Sequence, residues 1–307
     1  MIEELARAGI TVFERGWLSS NNVLLRSETP GSSVLVDSGY WSHAEQTTAL
    51  VRSALGGEAL GRIVNTHLHS DHCGGNARLQ AEHGCAIDVP IGEARCVDDW
   101  DEERLSYRGT GQGCPRFRRT GQIALGDRMA LGRWTWEAIG APGHDPHSIA
   151  LYQPELQVLI SADALWEEGF GVVFPELEGE DAFEAVGLTL DAFARLSVRW
   201  VIPGHGAPFS ELGPALDRAR RRLAQFIADP VRHARYAGKV LIKFHLLEVQ
   251  SAAWPALTTW IEETPYFRLI HSRHFLSTPF DAWYAELIDE LVRAGALARD
   301  RQGVRNA

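Results

Sequence analysis

The most informative part of the sequence is residues 66–76, Thr66-His67-Leu68-His69-Ser70-Asp71-His72-Cys73-Gly74-Gly75-Asn76. In an extended chain, residues two apart point to the same side, so His67 and His69 face one point while Leu68 faces the core. The chain then turns, so the side chains of Asp71 and His72 can face a second position next to the first. Three imidazoles and a carboxylate within six residues suit a borderline divalent cation such as zinc, which takes nitrogen and oxygen ligands. The stretch therefore predicts a metal site.

Three later residues supply matching ligand types, each in a turn or at the end of a predicted strand. His144 lies among prolines and a glycine, Asp163 follows the apolar run 158–160, and His205 lies between two glycines. Loops at one edge of a scaffold commonly carry functional side chains. Taken singly, each residue is an ordinary turn residue. Together with residues 66–76, and in this order, they predict one shared site.

In residue order and local context, these positions resemble the metallo-β-lactamase-fold hydrolase superfamily. The Thr-His-x-His-x-Asp-His-x-Gly-Gly-Asn form is most similar to the glyoxalase II-like branch. The resemblance covers residues 10–210 and implies an αββα sandwich with the metals at one edge. It also implies two metal sites, one held by His67, His69 and His144, the other by Asp71, His72 and His205, with Asp163 bridging both.

The implied ligand set suggests a hydrolytic mechanism. Two neighbouring cations can share a hydroxide, because metal binding lowers the pKa of water from about 15.7 to about 7. We expect Asp71 to be the catalytic residue that orients this hydroxide and passes its proton to the leaving group. Zinc is the expected metal, with iron and manganese as alternatives, since histidine and carboxylate ligands serve all three.

The organisation of the 307-residue chain predicts two domains. Short strands and helices alternate as far as about residue 213, and the pattern is mostly helical from there on. We predict an α/β (α+β) catalytic domain over residues 1–213, a sheet sandwich covered by helices, and a helical or winged-helix-like domain over residues 214–307. Residues 97–121 are polar and Gly-rich and predict a solvated loop, with a basic lid as the alternative.

Composition and charge narrow the partners. The formal net charge is −10, and it is uneven: residues 214–307 carry 14 basic and 10 acidic residues, whereas the first 213 carry 16 and 30. This acidic balance argues against nucleic acid as the main partner. We find no apolar signal-peptide core, no membrane-length apolar run and no CxxC pair among the four cysteines. We therefore expect a cytoplasmic protein with reduced thiols and no membrane partner.

Three residues are candidates for substrate contact. Trp166 and Phe170 follow Asp163 closely and can line a pocket, with core packing as the alternative. His147 lies three residues after His144, where a substrate contact and an ordinary turn position are both open. An arginine cluster follows in the second domain, for which we favour a solvated face over an acidic ligand: Arg218, Arg220, Arg221 and Arg222.

The favoured function is a dinuclear metal hydrolase that acts on a small-molecule thioester, ester or lactone. One alternative is a metal-dependent phosphodiesterase or ribonuclease, for which the basic second domain is the main support. Another is a non-catalytic, ligand-sensing protein with a vestigial metal site. For the second domain, a lid over the site, a homodimer contact and a stabilising element are all open.

Overall fold

A computed structural model describes residues 2–179 and 181–307. The first sheet has its strands in chain order, antiparallel from β1 to β3 and parallel from β3 to β6. These strands are β1 (Ile10–Phe13), β2 (Asn22–Leu25), β3 (Val34–Val36), β4 (Arg62–Val64), β5 (Ala86–Pro90) and β6 (Gly121–Ile123).

The second sheet has the order β11-β10-β9-β8-β7 and is antiparallel except for the parallel pair of β10 and β11. Its strands are β7 (Arg128–Leu131), β8 (Trp134–Gly140), β9 (Ile149–Gln153), β10 (Val158–Ala162) and β11 (Trp200–Pro203). A small third sheet near the C-terminus has the order β12-β14-β13, formed by β12 (Ser251–Ala253), β13 (Leu297–Arg299) and β14 (Gly303–Asn306).

The helices cover the outer faces of the two large sheets and build the C-terminal part. A 3-10 turn at Trp41–His43 precedes the second helix. The helices are α1 (Ile2–Arg7), α2 (Ala44–Leu55), α3 (Ser70–Cys73), α4 (Asn76–His83), α5 (Ala94–Asp99), α6 (Tyr107–Thr110), α7 (Pro175–Glu178), α8 (Ala182–Phe193), α9 (Leu212–Ala228), α10 (Pro230–Val249), α11 (Trp254–Glu263), α12 (Pro265–His274) and α13 (Phe280–Arg293).

The alternation of side chains along the strands explains the layering. On β2, Val23 and Leu25 belong to the core between the two sheets, whereas Leu24 belongs to the core under α2 and α4. The outer face of the second sheet, represented by Leu159 and Val201, packs against α8 and α9. Both faces of both sheets are therefore covered, and the predicted αββα sandwich is confirmed.

The C-terminal part has a core of its own, centred on α10. Leu241, Ile242 and Leu246 of α10 pack with α11 to α13 and the third sheet. The buried residues of α9 instead join the core of the second sheet. The predicted boundary between residues 213 and 214 lies inside α9, and the division into two domains stays a prediction.

Two expectations about local structure are corrected. The solvated loop predicted for residues 97–121 is wrong in part, because Leu105, Tyr107 and Phe117 are buried in the core of the first sheet. Helix α12 was not predicted, because it follows α11 after one residue and begins with Pro265. Proline fits the first turn of a helix, where its missing N–H has no partner to lose. No helix among the described residues combines the length and apolar character needed to cross a bilayer.

The fold brings four strand ends to one edge of the sandwich. Residues 66–72 follow β4, and His144, Asp163 and His205 follow β8, β10 and β11. The close packing of this edge depends on Gly74, where a Cβ atom would lie 2.4 Å from the Trp41 backbone nitrogen and 2.6 Å from the Ser70 carbonyl oxygen. Neither backbone atom can move aside alone.

We predict that Gly74→Ala lowers the free energy of unfolding by about 1–3 kcal/mol, as over-packing does elsewhere. The matched control is Gly213→Ala in α9, where an added Cβ meets nothing within 4 Å. We expect this control to be neutral or stabilising, since alanine restricts the unfolded chain. Urea unfolding of the two variants checks the prediction, and equal stabilities would contradict it.

Candidate metal centre

The first of two ligand groups consists of three histidines. One ring nitrogen each from His67, His69 and His144 lies within 4.8 Å of the others, and His69 Nδ1 is 2.8 Å from His144 Nε2. His144 Nδ1 donates to the Val172 carbonyl at 2.5 Å, which leaves Nε2 free to face the other two rings. Such an outer hydrogen bond fixes the tautomer and orientation of a metal-binding histidine.

The second group consists of Asp71, His72, Asp163 and His205, whose ligand atoms also lie within 4.8 Å of one another. His205 Nε2 is 3.0 Å from Asp71 Oδ2, and His72 Nε2 is 3.4 Å from Asp163 Oδ1. The other oxygen of Asp163 is 3.4 Å from His144 Nε2 in the first group. Asp163 thus lies between the two groups, where the resemblance places a bridging ligand.

The donor atoms fit divalent cations. His67 Nε2 and His72 Nε2 are buried and make no hydrogen bond to any described residue. A buried polar atom without a partner costs free energy, and native proteins rarely keep one without a reason. Imidazole nitrogens and carboxylate oxygens are the ligands that zinc and neighbouring metals accept. The structure brings all seven predicted ligands together, and their role as ligands stays a prediction.

A buried carboxylate that the sequence analysis missed holds the first loop in place. Asp37 accepts hydrogen bonds from His72 Nδ1 at 2.7 Å, from the Thr66 amide at 2.9 Å and from the Thr66 hydroxyl at 2.7 Å. Its φ is +57°, an uncommon value that acidic residues tolerate better than most. Because Asp37 accepts the hydrogen bond from Nδ1–H of His72, the Nε2 atom of this ring faces the other candidate ligands.

A network of neutral polar side chains lies beneath the same loop. The Ser38 hydroxyl donates to Asn76 Oδ1, and Asn76 Nδ2 donates to Asn65 Oδ1, both at 2.7 Å. The Ser38 amide also donates to the carbonyl of His72 at 2.7 Å. All members of this network are buried and satisfied, which rigidifies the turn between His69 and Asn76.

Local backbone geometry positions the later ligands. Ala162 has φ of +47° at an irregularity in the pairing of β10 with β11, and the next residue is Asp163. A Cβ atom on Gly204 would lie 2.0 Å from Asp163 Oδ1, so only glycine allows the His205 loop to approach so closely. Asn21 Nδ2 bridges the carbonyls of Pro203 and Gly206 and braces that loop from the opposite side.

Electrostatic coupling sets the protonation of the site. Burial, followed by the neighbouring imidazoles, keeps the pKa of His67 well below its ordinary value and lowers the pKa of His69 to about 3. Burial opposes ionisation of Asp163, yet the adjacent histidines lower its pKa well below the usual range. For His72, burial is outweighed by Asp37 and the other carboxylates, which raise its pKa. Cation binding at this histidine would displace a proton and would weaken at low pH.

A cavity of about 550 Å³ opens onto the candidate ligands. Its floor includes Asp71 and Asp163, and its walls come from residues 106–112, the segment 166–174 and helices α10 and α13. Such a volume lies in the range of ligand-binding pockets in proteins. Several candidate ligands thus line a pocket that the C-terminal part helps to enclose.

The three predicted substrate contacts differ in position. Trp166 lines the cavity, 5.3 Å from the His205 ring, and its indole N–H donates to Asp163 Oδ1 at 3.1 Å. Phe170 does not line the cavity, because it is only 1% exposed and packs in the core under the second sheet. His147 lies outside the cavity as well, in a shallow hollow beside Pro90 and Leu125.

Trp17 is a further cavity residue that the sequence analysis missed. Its ring stacks on His205 with centroids 5.5 Å apart and meets the Trp166 ring edge-on at 5.3 Å. It is 58% exposed despite these contacts, so it forms part of the rim. No spacing in the sequence marks Trp17, because it lies 188 positions before the histidine that it covers.

Comparison with known proteins agrees with this geometry. The family model of the metallo-beta-lactamase superfamily matches residues 15–205, which include all seven candidate ligands. The chain belongs to the metallo-beta-lactamase superfamily. The resemblance stated from residues 66–76 is thereby confirmed, and the match ends just before α9.

Among its relatives, this superfamily member is 30% identical over 164 residues to the hydroxyacylglutathione hydrolase of Rhodospirillum rubrum, covering 53% of this chain and 55% of the relative. It is 26% identical over 215 residues to the beta-lactamase-like protein 2 homolog of Caenorhabditis elegans, covering 69% of this chain and 63% of the relative. The chain thus spans about half the length of the hydroxyacylglutathione hydrolase that it matches.

Solved structures share the fold over nearly the whole chain. A metallo-beta-lactamase family protein from Thermus thermophilus aligns with a TM-score of 0.58 at 19% identity, over 97% of this chain and 99% of its own. A beta-lactamase domain protein from Burkholderia ambifaria aligns with a TM-score of 0.54 at 18% identity, over 97% and 91%. Both alignments include the helical C-terminal part of this superfamily member.

We predict that Asp37→Asn lowers the affinity for Zn²⁺ by about 10- to 100-fold, as loss of an outer partner of a metal-binding histidine typically does. Competition with a chromophoric chelator measures this affinity. Asp88→Asn is the matched control, because Asp88 is a partly buried carboxylate that pairs with Arg62 at 3.5 Å, away from the site. Equal affinities in the two variants would show that Asp37 does not orient His72.

Proposed function

We propose that the protein is a metal-dependent hydrolase of a small-molecule thioester, ester or lactone. The observation that carries the proposal is the convergence of seven histidine and aspartate donors at one end of a 550 Å³ cavity. The similarity to hydroxyacylglutathione hydrolases, which cleave a thioester according to their name, supports this class of reaction. We further propose two cations, most consistent with zinc on the donor types.

The two ligand groups divide the donors between the cations. His67, His69 and His144 would hold one, and Asp71, His72 and His205 the other, with Asp163 shared between them. When bound, such cations supply hydroxide at neutral pH and polarise the carbonyl oxygen of the substrate. The contribution of the chain is to hold the donors rigidly and to handle the proton.

Asp71 is the proposed proton carrier. Its carboxylate lines the cavity and contacts His205, and the neighbouring His72 and His205 lower its pKa although burial opposes this. An ionised carboxylate at that position can accept a proton from the attacking water and donate it to the leaving thiolate or alkoxide. The rings of Trp17 and Trp166 pack against His205, the imidazole that contacts Asp71.

The phosphodiesterase and ribonuclease alternative has less support. In the basic second part that favours it, two of the α9 arginines are engaged within the chain: Arg218 donates to the Glu167 carbonyl, and Arg220 pairs with Asp191 at 2.8 Å. A nucleic-acid footprint needs basic groups that are available to phosphates.

For localisation we propose the cytoplasm, which the four free cysteines support.

A hydrolysis screen with metal analysis on the same sample tests the proposal. Thioesters, esters, lactones and bis(p-nitrophenyl) phosphate are assayed before and after dialysis against a chelator. We expect about two equivalents of metal per chain, activity on a carboxylic substrate, loss of activity after chelation and recovery with Zn²⁺. Less than one equivalent with no hydrolysis of any substrate would favour the ligand-sensing alternative.

We predict that Asp71→Asn lowers kcat by about 10²-fold or more, because the amide cannot accept the proton. Steady-state kinetics are measured with the metal content of each sample, so that loss of a ligand is told apart from loss of the proton carrier. Asp88→Asn again serves as the control. Full kcat in a fully metallated Asp71→Asn variant would contradict the proposed role of Asp71 as proton carrier.

A further inference from the structure

Much of the cavity wall is apolar. Helix α10 contributes Val240, Phe244 and Leu247, α13 contributes Leu291, and the segment after Asp163 contributes Val172 and Phe174. Most of these side chains are only partly buried, so their remaining surface faces the cavity. Apolar surface of this kind gains free energy when an apolar ligand covers it.

The basic side chains that line the cavity are already engaged. Lys239 pairs with Glu290 at 2.8 Å, and Lys243, one helical turn further along α10, donates to the Ala296 carbonyl at 2.7 Å and to the Asn306 side chain. These are the two lysines of the entire sequence.

The third basic side chain, Arg222, is held by the hydroxyl of Tyr236 and lies over the rings of Phe170, Phe226 and Tyr236. Within the described part of the chain, the lysines and arginine of the cavity wall are therefore committed to internal partners. An anionic ligand would have to share these donors with their internal partners.

We propose that the substrate carries a neutral, apolar chain, which extends from the metal centre between α10 and α13. This inference rests on the proposed function and specifies its substrate class. The glutathione thioester of the named relatives has two carboxylates and needs cationic partners, for which it would compete with the internal partners of the lysines and the arginine. An unbranched alkyl chain needs only the apolar walls.

The volume sets the size of the chain. Since a cavity of about 150 Å³ holds a benzene ring, one of 550 Å³ has room for about 20 non-hydrogen atoms. An ester or thioester with an apolar chain of about six to ten carbons fits this limit. Burial of each further methylene group should raise kcat/KM about fourfold until the cavity is full.

Chain-length series test the proposal. One series varies the acyl group of N-acetylcysteamine thioesters from two to ten carbons, and a second varies the alkyl group of acetate esters over the same range. We expect a rise in kcat/KM in one series, which identifies the side of the scissile bond that enters the cavity. S-lactoylglutathione is assayed beside them and should be the poorer substrate. Flat profiles in both series, or preference for the glutathione thioester, would overturn the inference.

Val240→Phe is the diagnostic variant, because the larger ring occupies the chain path and should move the optimum to shorter chains. Val231→Phe is the matched control: the same substitution lies on the same helix, at a position 46% exposed and outside the cavity. We expect the control to keep the wild-type chain-length profile. Identical profiles for both variants would contradict the proposed path.

A binding measurement separates this inference from the proposed hydrolase activity. The neutral fluorescent probe N-phenyl-1-naphthylamine should bind the wild type, be displaced by octan-1-ol and bind Val240→Phe at least tenfold more weakly. Such binding without hydrolysis of any substrate would refute the proposed function and support the apolar cavity. Absence of displaceable binding would refute the apolar-chain proposal, whatever the hydrolysis screen shows.

Discussion

The constraint on which the structure depends is the crowding of seven imidazole and carboxylate side chains into a buried volume a few ångströms across. Each of these groups prefers water, and the buried Nε2 atoms of His67 and His72 make no hydrogen bond to the described residues. The surrounding backbone is arranged to enforce this crowding: Asp37 and Ala162 take positive φ values, and Gly204 leaves space that any side chain would fill. Strain of this kind persists only where the rest of the fold over-determines it, here through two sheets buried on both faces.

Much of the fold and of the candidate site was predictable because the information is local. The run from His67 to His72 shows its chemistry within six residues, and His144, Asp163 and His205 each follow a recognisable strand. Asp37 was not predictable in this way, because its contact arises from the parallel pairing of β3 with β4, which aligns Val36 with Val64 and places Asp37 beside Thr66. Trp17 and the burial of Phe170 likewise depend on which surfaces meet after folding, and no periodicity in the sequence encodes that.

The contacts within the chain change the interpretation of its uneven charge, because many of the charged side chains are buried or paired. The acidic first part includes Asp37, Asp71 and Asp163, which are buried next to histidines and contribute little to a surface field. Many basic side chains of the C-terminal part contact partners within the chain. Lys239 and Arg235, for example, both form ion pairs with Glu290. The formal net charge of the chain therefore bears more on its solubility than on the identity of its binding partners.

The hydrogen bond from His144 to the carbonyl of Val172 has a consequence beyond the orientation of one ring. Val172 lies on a segment that contacts both the candidate ligands and the helices of the C-terminal part. All seven candidate ligands precede residue 206, whereas α10 and α13 contribute only walls. The candidate ligands and the helical part of the cavity wall therefore lie on separate stretches of the chain, and the segment that contains Val172 contacts both. In evolution, α10 and α13 can be exchanged for other helices that accept a new substrate. The condition is that the segment at Val172 still presents a carbonyl oxygen to His144.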